Sequence, residues 1–83
     1  MKLADMRHGE QAVVTHIEDS TVRAQAIRFG IAEGSEISCD EIIPGGPVVI
    51  RRGLMQYAIG RRLAEQIAVS PRVGRQRRER GGR

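Results

Sequence analysis

RFGIAEGSEI, residues 28–37, is the stretch on which the fold turns. A helical pattern with one apolar face runs up to Phe29, an alternating strand pattern begins near Ser35, and two glycines stand between them. Gly30 falls just past the helix end, where a residue without Cβ adopts a left-handed backbone at little cost, and Gly34 turns the chain again into the strand. The stretch reads as a helix stop followed at once by a strand start. The flanking residues must then supply the rest of a sheet.

Upstream, QAVVTHIE (residues 11–18) is rich in β-formers, with Val13, Thr15 and Ile17 on one face and Ala12, Val14 and His16 on the other. Asp19 or Ser20 then offers a side-chain oxygen to the free amides of a helix start. VRAQAIRF follows, with Val22, Ala26 and Phe29 on one stripe and Ala24 and Ile27 nearby, a helix of about ten residues ending at Gly30. Downstream, EISCDEII and VVIRR are two β-rich runs joined by PGGP, so a hairpin is predicted with Gly45 and Gly46 in its turn and Pro44 and Pro47 at its ends. Gly53 marks the next turn. Tyr57 and Ile59 alternate inward on a fourth strand, RRLAEQ favours a helical turn, and IAVS closes the sheet. The expected fold is mainly β with one or two short helices, a small, partly open barrel of about five strands.

Eighty-three residues allow one domain. A chain this short buries only about 60% of its unfolded surface, so its core is thin and a large internal active site is not expected. The net charge of +4 is unevenly placed: residues 71–83 hold six arginines and one glutamate, which leaves residues 1–70 at −1. That C-terminal segment has too little apolar surface to offset its ordering entropy. The sequence thus divides into a domain over 1–70 and a disordered arginine-rich tail over 71–83. The tail reads first as a solubilising, uncommitted segment; the alternative is a weak contact with nucleic acid or anionic lipid without sequence recognition, and were all six arginines to meet duplex phosphates, log affinity would fall against log salt with a slope of roughly −5. Apolar runs fall far short of the roughly 18 residues of a transmembrane segment, and MKLADMRHGE lacks the apolar stretch of a signal peptide. A cytoplasmic location is expected. The single cysteine, Cys39, excludes an internal disulfide framework.

Chemistry-bearing clusters are sparse. Cys39 and His16 lie on separate predicted strands, and Asp40 and Glu41 point to opposite strand faces, which opposes joint acid–base work. His8, His16 and Cys39 are the obvious borderline metal ligands, yet Cys-x-x-Cys and His-x-x-x-His spacings are absent. The glycine-containing segments lack the lysine and spacing of a phosphate loop or dinucleotide fingerprint. No catalytic group, metal site or cofactor is expected. The remaining candidates are the arginines, Arg23 and Arg28 on the helix and the doublets Arg51-Arg52 and Arg61-Arg62, which suit acidic residues on a partner.

The order of these features resembles the FeoA family, accessory proteins of bacterial ferrous-iron uptake. The family pattern is a Leu-x-x-x-x-x-Gly entry, a strand, an arginine-rich helix ending in Leu-Gly, then a hydrophobic residue, two variable residues and a glycine before a strand. Here these positions are Leu3 and Gly9, the helix from Arg23 to Phe29, then Gly30, Ile31, Gly34 and Ile37. The match continues through Pro44, Pro47, Ile50, Gly53, Ala58, Ile59, Arg61, Ala64, Ile67 and Val69. Gln25, Ala26, Phe29 and Gly60 depart from it, PGGP is shorter than the usual loop, and Gly53 to Ile59 is one residue longer. The resemblance implies an SH3-like barrel, a fold also found at the C-terminus of metal-dependent repressors. It further implies a non-enzymatic role in contact with the cytosolic, G-protein-containing part of the FeoB-type ferrous iron permease. The alternatives are a nucleic-acid-binding or transcription-associated SH3-like module that uses its basic tail, and a stand-alone regulatory domain like that of the repressors. Since ligand clusters are missing from the sequence, anaerobic titration of the chain with ferrous iron is expected to show no tight stoichiometric site. A micromolar or tighter site abolished by His16→Ala or Cys39→Ser would overturn that expectation.

Overall fold

The hairpin predicted around PGGP occupies the middle of the sheet. In a computed structural model that describes residues 1–72, Glu36–Ile42 (β2) and Val48–Arg52 (β3) pair antiparallel across it. Before them come Gln11–His16 (β1) and the helix Ser20–Ile27 (α1); after them come Met55–Ile59 (β4), the short helix Arg61–Ala64 (α2) and Ala68–Pro71 (β5). The strand order is β4-β3-β2-β1-β5, every pairing antiparallel. A 3-10 turn at Leu3–Asp5 precedes the sheet. Five antiparallel strands with two short helices make the SH3-like architecture expected from the sequence.

Each helix end has a local cause. Asp19 caps α1, its Oδ1 accepting from the Thr21 and Val22 amides at 2.8 and 3.1 Å, a contact generally worth about 1 kcal/mol. At the other end Gly30 has φ +70, its amide donating to the Ile27 carbonyl at 2.9 Å, and the Ile31 amide reaches back to the Ala26 carbonyl at 3.1 Å. That reversal sends Ile31 straight into the core, where it is fully buried. Gly34, at φ +95, then lets the chain rejoin β1: its amide donates to the Val14 carbonyl at 2.7 Å.

The core is aliphatic, with no buried polar residue among those described. Val48, Ile50 and Ile59 enter it from β3 and β4, Ile37 and Cys39 from β2, and Ala12, Val14 and Val69 from β1 and β5. Leu3, Met6 and Ile67 fill one end, and Val22 and Ala26 come down from α1. The only two aromatic rings, Phe29 and Tyr57, pack edge to face at a centroid distance of 5.6 Å, half-buried at the margin.

Three expectations are corrected. The inward face of β1 is Ala12 and Val14, and Ile17 joins it despite its odd position because the pairing with β5 shifts register between Val14 and His16. An extra residue in one strand reverses the alternation beyond it. Ile27, placed near the buried stripe, is 61% exposed, since the packed side of this short helix is only as wide as Val22 and Ala26. Finally, β5 runs past the expected boundary at Ser70–Pro71: Pro71 pairs with Ala12, and the Arg72 amide donates to the Gln11 carbonyl at 2.7 Å. The rest of the expected tail, residues 73–83, lies outside the described residues.

The two glycines around α1 provide a paired test. A Cβ at Gly30 would overlap the Arg52 guanidinium, whereas one at Gly34 would meet nothing within 4 Å. Gly34→Ala should therefore cost only the left-handed strain, about 1–3 kcal/mol, and Gly30→Ala that plus displacement of Arg52. Arg52→Ala should remove the difference between them. Thermal midpoints of the three single variants and the Gly30→Ala/Arg52→Ala double variant measure it, and equal costs at both glycines in the presence of Arg52 would refute the contact.

Candidate partner-binding surface

The six arginines proposed from sequence as partner contacts do not form one patch. Arg23 turns back on its own chain: Nη2 donates to the Ile17 and Glu18 carbonyls at 2.7 and 3.2 Å, and Nε to Ile17 at 3.2 Å. It thereby secures the end of β1 to the start of α1. Arg61 is a clamp, its three nitrogens donating to the carbonyls of Gly46, Ala4 and Ile43 at 3.1, 3.3 and 3.3 Å. It ties the PGGP turn to the N-terminal segment across the barrel end. Arg51 is paired with Asp40 at 2.9 Å.

Arg52 is half-buried and lies against Gly30, so the end of α1 and the end of β3 meet at a charged side chain. Its Nε is buried and has no hydrogen-bond partner among the described residues. Arg28 and Arg62 are exposed and make no side-chain hydrogen bond or ion pair within the described residues. Arg28, Arg52 and Arg62 are thus the three of the six whose side chains have neither a carboxylate nor a carbonyl partner among the described residues.

Sequence reasoning missed the apolar part of this surface. Gly53 and Leu54 form the two-residue connection between β3 and β4, and Leu54 at its tip is 97% exposed; Met55 beside it is 54% exposed. Met55 is the direct cross-strand partner of Arg52. Through the seat of Arg52 on Gly30, the strand end that carries the hairpin tip meets the turn that follows α1, whose last residues include exposed Ile27 and Arg28. The signal in sequence was a large apolar residue directly after a turn glycine, where polar residues are usual.

Groups that would serve catalysis or metal binding are not assembled. Cys39 is buried, which pushes its thiol above the ordinary cysteine value, and its Sγ lies 3.8 Å from the Glu41 carbonyl oxygen. His16 is exposed, with Nδ1 3.3 Å from Glu33, whose carboxylate also accepts from the Ile17 amide at 3.3 Å. No cluster of three metal-ligating side chains occurs among the described residues. A shallow groove of about 180 Å³ crosses the outer sheet face over Gln11, Glu36, Ser38, Arg51 and Arg72. Its two cations already face Asp40 and Glu36.

The sequence matches the family model of the FeoA domain over residues 1–71. The fold is similar to a crystal structure described as an iron uptake regulatory protein, FeoA, at 29% identity and TM-score 0.80, covering 86% of this chain and 96% of that one. It is also similar to the solution structure of FeoA from Chlorobium tepidum, at 27% identity and TM-score 0.76, covering 92% and 74% of the two chains. At 20% identity, the zinc-complexed FeoA of Stenotrophomonas maltophilia, described as a prokaryotic SH3-domain protein, shares the fold with TM-score 0.72 over 84% of this chain and 89% of that one. Among curated proteins, no sequence matches significantly.

Asp40 carries a pH signature of the outer face. The Gln56 amide donates to its Oδ2 at 2.7 Å, and this bond, followed by that from Arg51, holds the carboxyl below the ordinary aspartate value. A depressed folded-state value means that the group contributes stability above its unfolded value and loses it as pH falls through the folded one. Asp40→Asn should therefore flatten the acid limb: the fall in thermal midpoint between pH 7 and pH 3 should be smaller than in the wild-type chain. An unchanged acid limb would show that the Gln56–Asp40–Arg51 contacts contribute nothing in solution.

Proposed function

Because the chain belongs to the FeoA family, whose domains are non-enzymatic accessories associated with ferrous iron transport, we propose that it acts by docking on the cytosolic domain of a FeoB-type permease. The observation that carries this reading is the surface at the hairpin tip. Leu54 and Met55 are exposed next to Arg52, whose guanidinium lies against Gly30 at the end of α1, while the polar groups that chemistry would need are apart or already engaged. Apolar side chains rimmed by unpaired cations suit a protein interface. No helix of the described residues is long and apolar enough to cross a membrane.

The mechanism is one of differential affinity. A small barrel that binds one conformational state of the permease more tightly than another shifts the permease toward that state, by no more than the difference in binding free energy. Ferrous iron is the permease's cargo and needs no site on the barrel. The arginine-rich segment adds a salt-sensitive attraction to acidic surfaces and is not required for docking.

Titration of the full chain into the isolated permease cytosolic domain should give saturable binding, and Leu54→Asp should weaken it with little change in thermal midpoint, since Leu54 is already in water. A chain ending at Arg72 should bind nearly as well at physiological salt. Absence of binding to the permease domain, or binding that requires residues 73–83, would overturn this function.

A further inference from the structure

The sheet has two edges, and the chain treats them differently. At β5 the N-terminus lies alongside: the Val69 amide donates to the Met1 carbonyl and the Leu3 amide to the Ile67 carbonyl, both at 2.8 Å, and Lys2 bridges Ala68. At the opposite edge, β4 makes no backbone hydrogen bond beyond its ladder with β3 among the described residues. The usual guards of an edge are charged side chains, proline, a bulge or a covering segment. Met55–Ile59 has neither charge nor proline, and its register with β3 runs unbroken from Arg52↔Met55 to Val48↔Ile59.

The register also identifies the free groups. In a hairpin closed by two residues the closing pair is hydrogen-bonded, so Met55, Tyr57 and Ile59 bond to β3, whereas Gln56 and Ala58 turn their N–H and C=O outward. Ala58 is exposed and its small side chain leaves the approach open.

Charge selects the occupant. Residues 42–64 contain four arginines and no Asp or Glu, whereas residues 1–41 contain eight acidic and four basic side chains. Arg52 stands at one end of β4 and Arg62 just beyond the other, neither with a carboxylate among the described residues. A second copy paired antiparallel on the same edge would bring Arg52 of each chain toward Arg62 of the other, an unfavourable opposition of like charges. The chain's own arginine-rich C-terminal segment has the same sign. We infer that the free edge of β4 is a docking strand for an extended partner segment with an uncharged, alternating centre and acidic residues at both ends. The segment adds a sixth strand through Gln56 and Ala58, and its acidic ends meet Arg52 and Arg62. The assignment rests on the accessory reading above for the partner's identity but not for its chemistry.

Amide hydrogen exchange of the full chain tests it with two probes, the permease cytosolic domain and the synthetic peptide Asp-Glu-Val-Thr-Val-Thr-Asp-Glu. Each should slow exchange at Gln56 and Ala58. Proline at an outward-facing edge position removes the free N–H without breaking the β3 ladder. Ala58→Pro should therefore keep the circular dichroism of the fold and bind at least about tenfold more weakly. Arg62→Glu, which leaves the backbone untouched, should weaken binding as well, more so at low salt. Unchanged affinity in both variants, or protection confined to α1, would overturn the inference. So would protection of Gln56 and Ala58 in the free chain that grows with its concentration, which would make the occupant a second copy. Protection by the peptide without binding of the permease domain would support the edge and overturn the permease reading alone.

Discussion

A left-handed backbone at Gly30 is the constraint on which the rest of the barrel depends. β1 and β2 are neighbours in one antiparallel sheet, yet a helix of eight residues stands between them in sequence. The chain must leave the sheet, climb the helix and return within a few residues to the strand it left. The return works because the cap at Gly30 reverses the chain in one step and delivers Ile31 into the core, after which Gly34 docks on Val14. A side chain at Gly30 would both strain the reversal and unseat Arg52. One residue thus joins helix, core and the end of β3.

The arginines illustrate how little a basic residue's position in sequence says about its use. Arg23 and Arg61 look like surface charges but satisfy backbone carbonyls at a strand end and a turn, work that in a larger domain would be done by buried backbone pairing. With two aromatic rings and a thin aliphatic core, the molecule relies on these long side chains to close its ends. Side chains engaged in this way are fixed in direction, which leaves Arg28, Arg52 and Arg62 as the ones free of a hydrogen-bond partner among the described residues for an incoming carboxylate.

Much of this was legible in the sequence. The helix stop, the PGGP hairpin and the short final strand announced themselves through glycine, proline and β-branched residues, whose effects are local. The order of those signals over residues 1–70 carried the family resemblance. What escaped was set by tertiary contacts. Nothing in QAVVTHIE reveals that the register slips after Val14, because the slip is defined by β5, more than fifty residues away. Likewise Pro71 and Arg72 read as the start of a tail until β1 is seen to accept them. The partner surface was legible only in part: charge is visible in sequence, but which arginines are free, and that Leu54 stands clear of the core, depends on the assembled fold.

The pairing of the first residues with the last strand has a consequence for how the chain comes to be folded. Met1, Lys2 and Leu3 are hydrogen-bonded to or bridged with residues 67–69, and β1 finds its second neighbour only in Ala68–Pro71. The α1 turn and the two central hairpins are local and can form early. Closure of the barrel joins segments at opposite ends of the chain, the kind of contact that slows folding because its loop entropy is met before its reward. During synthesis the core therefore stays open until residue 72 has been made.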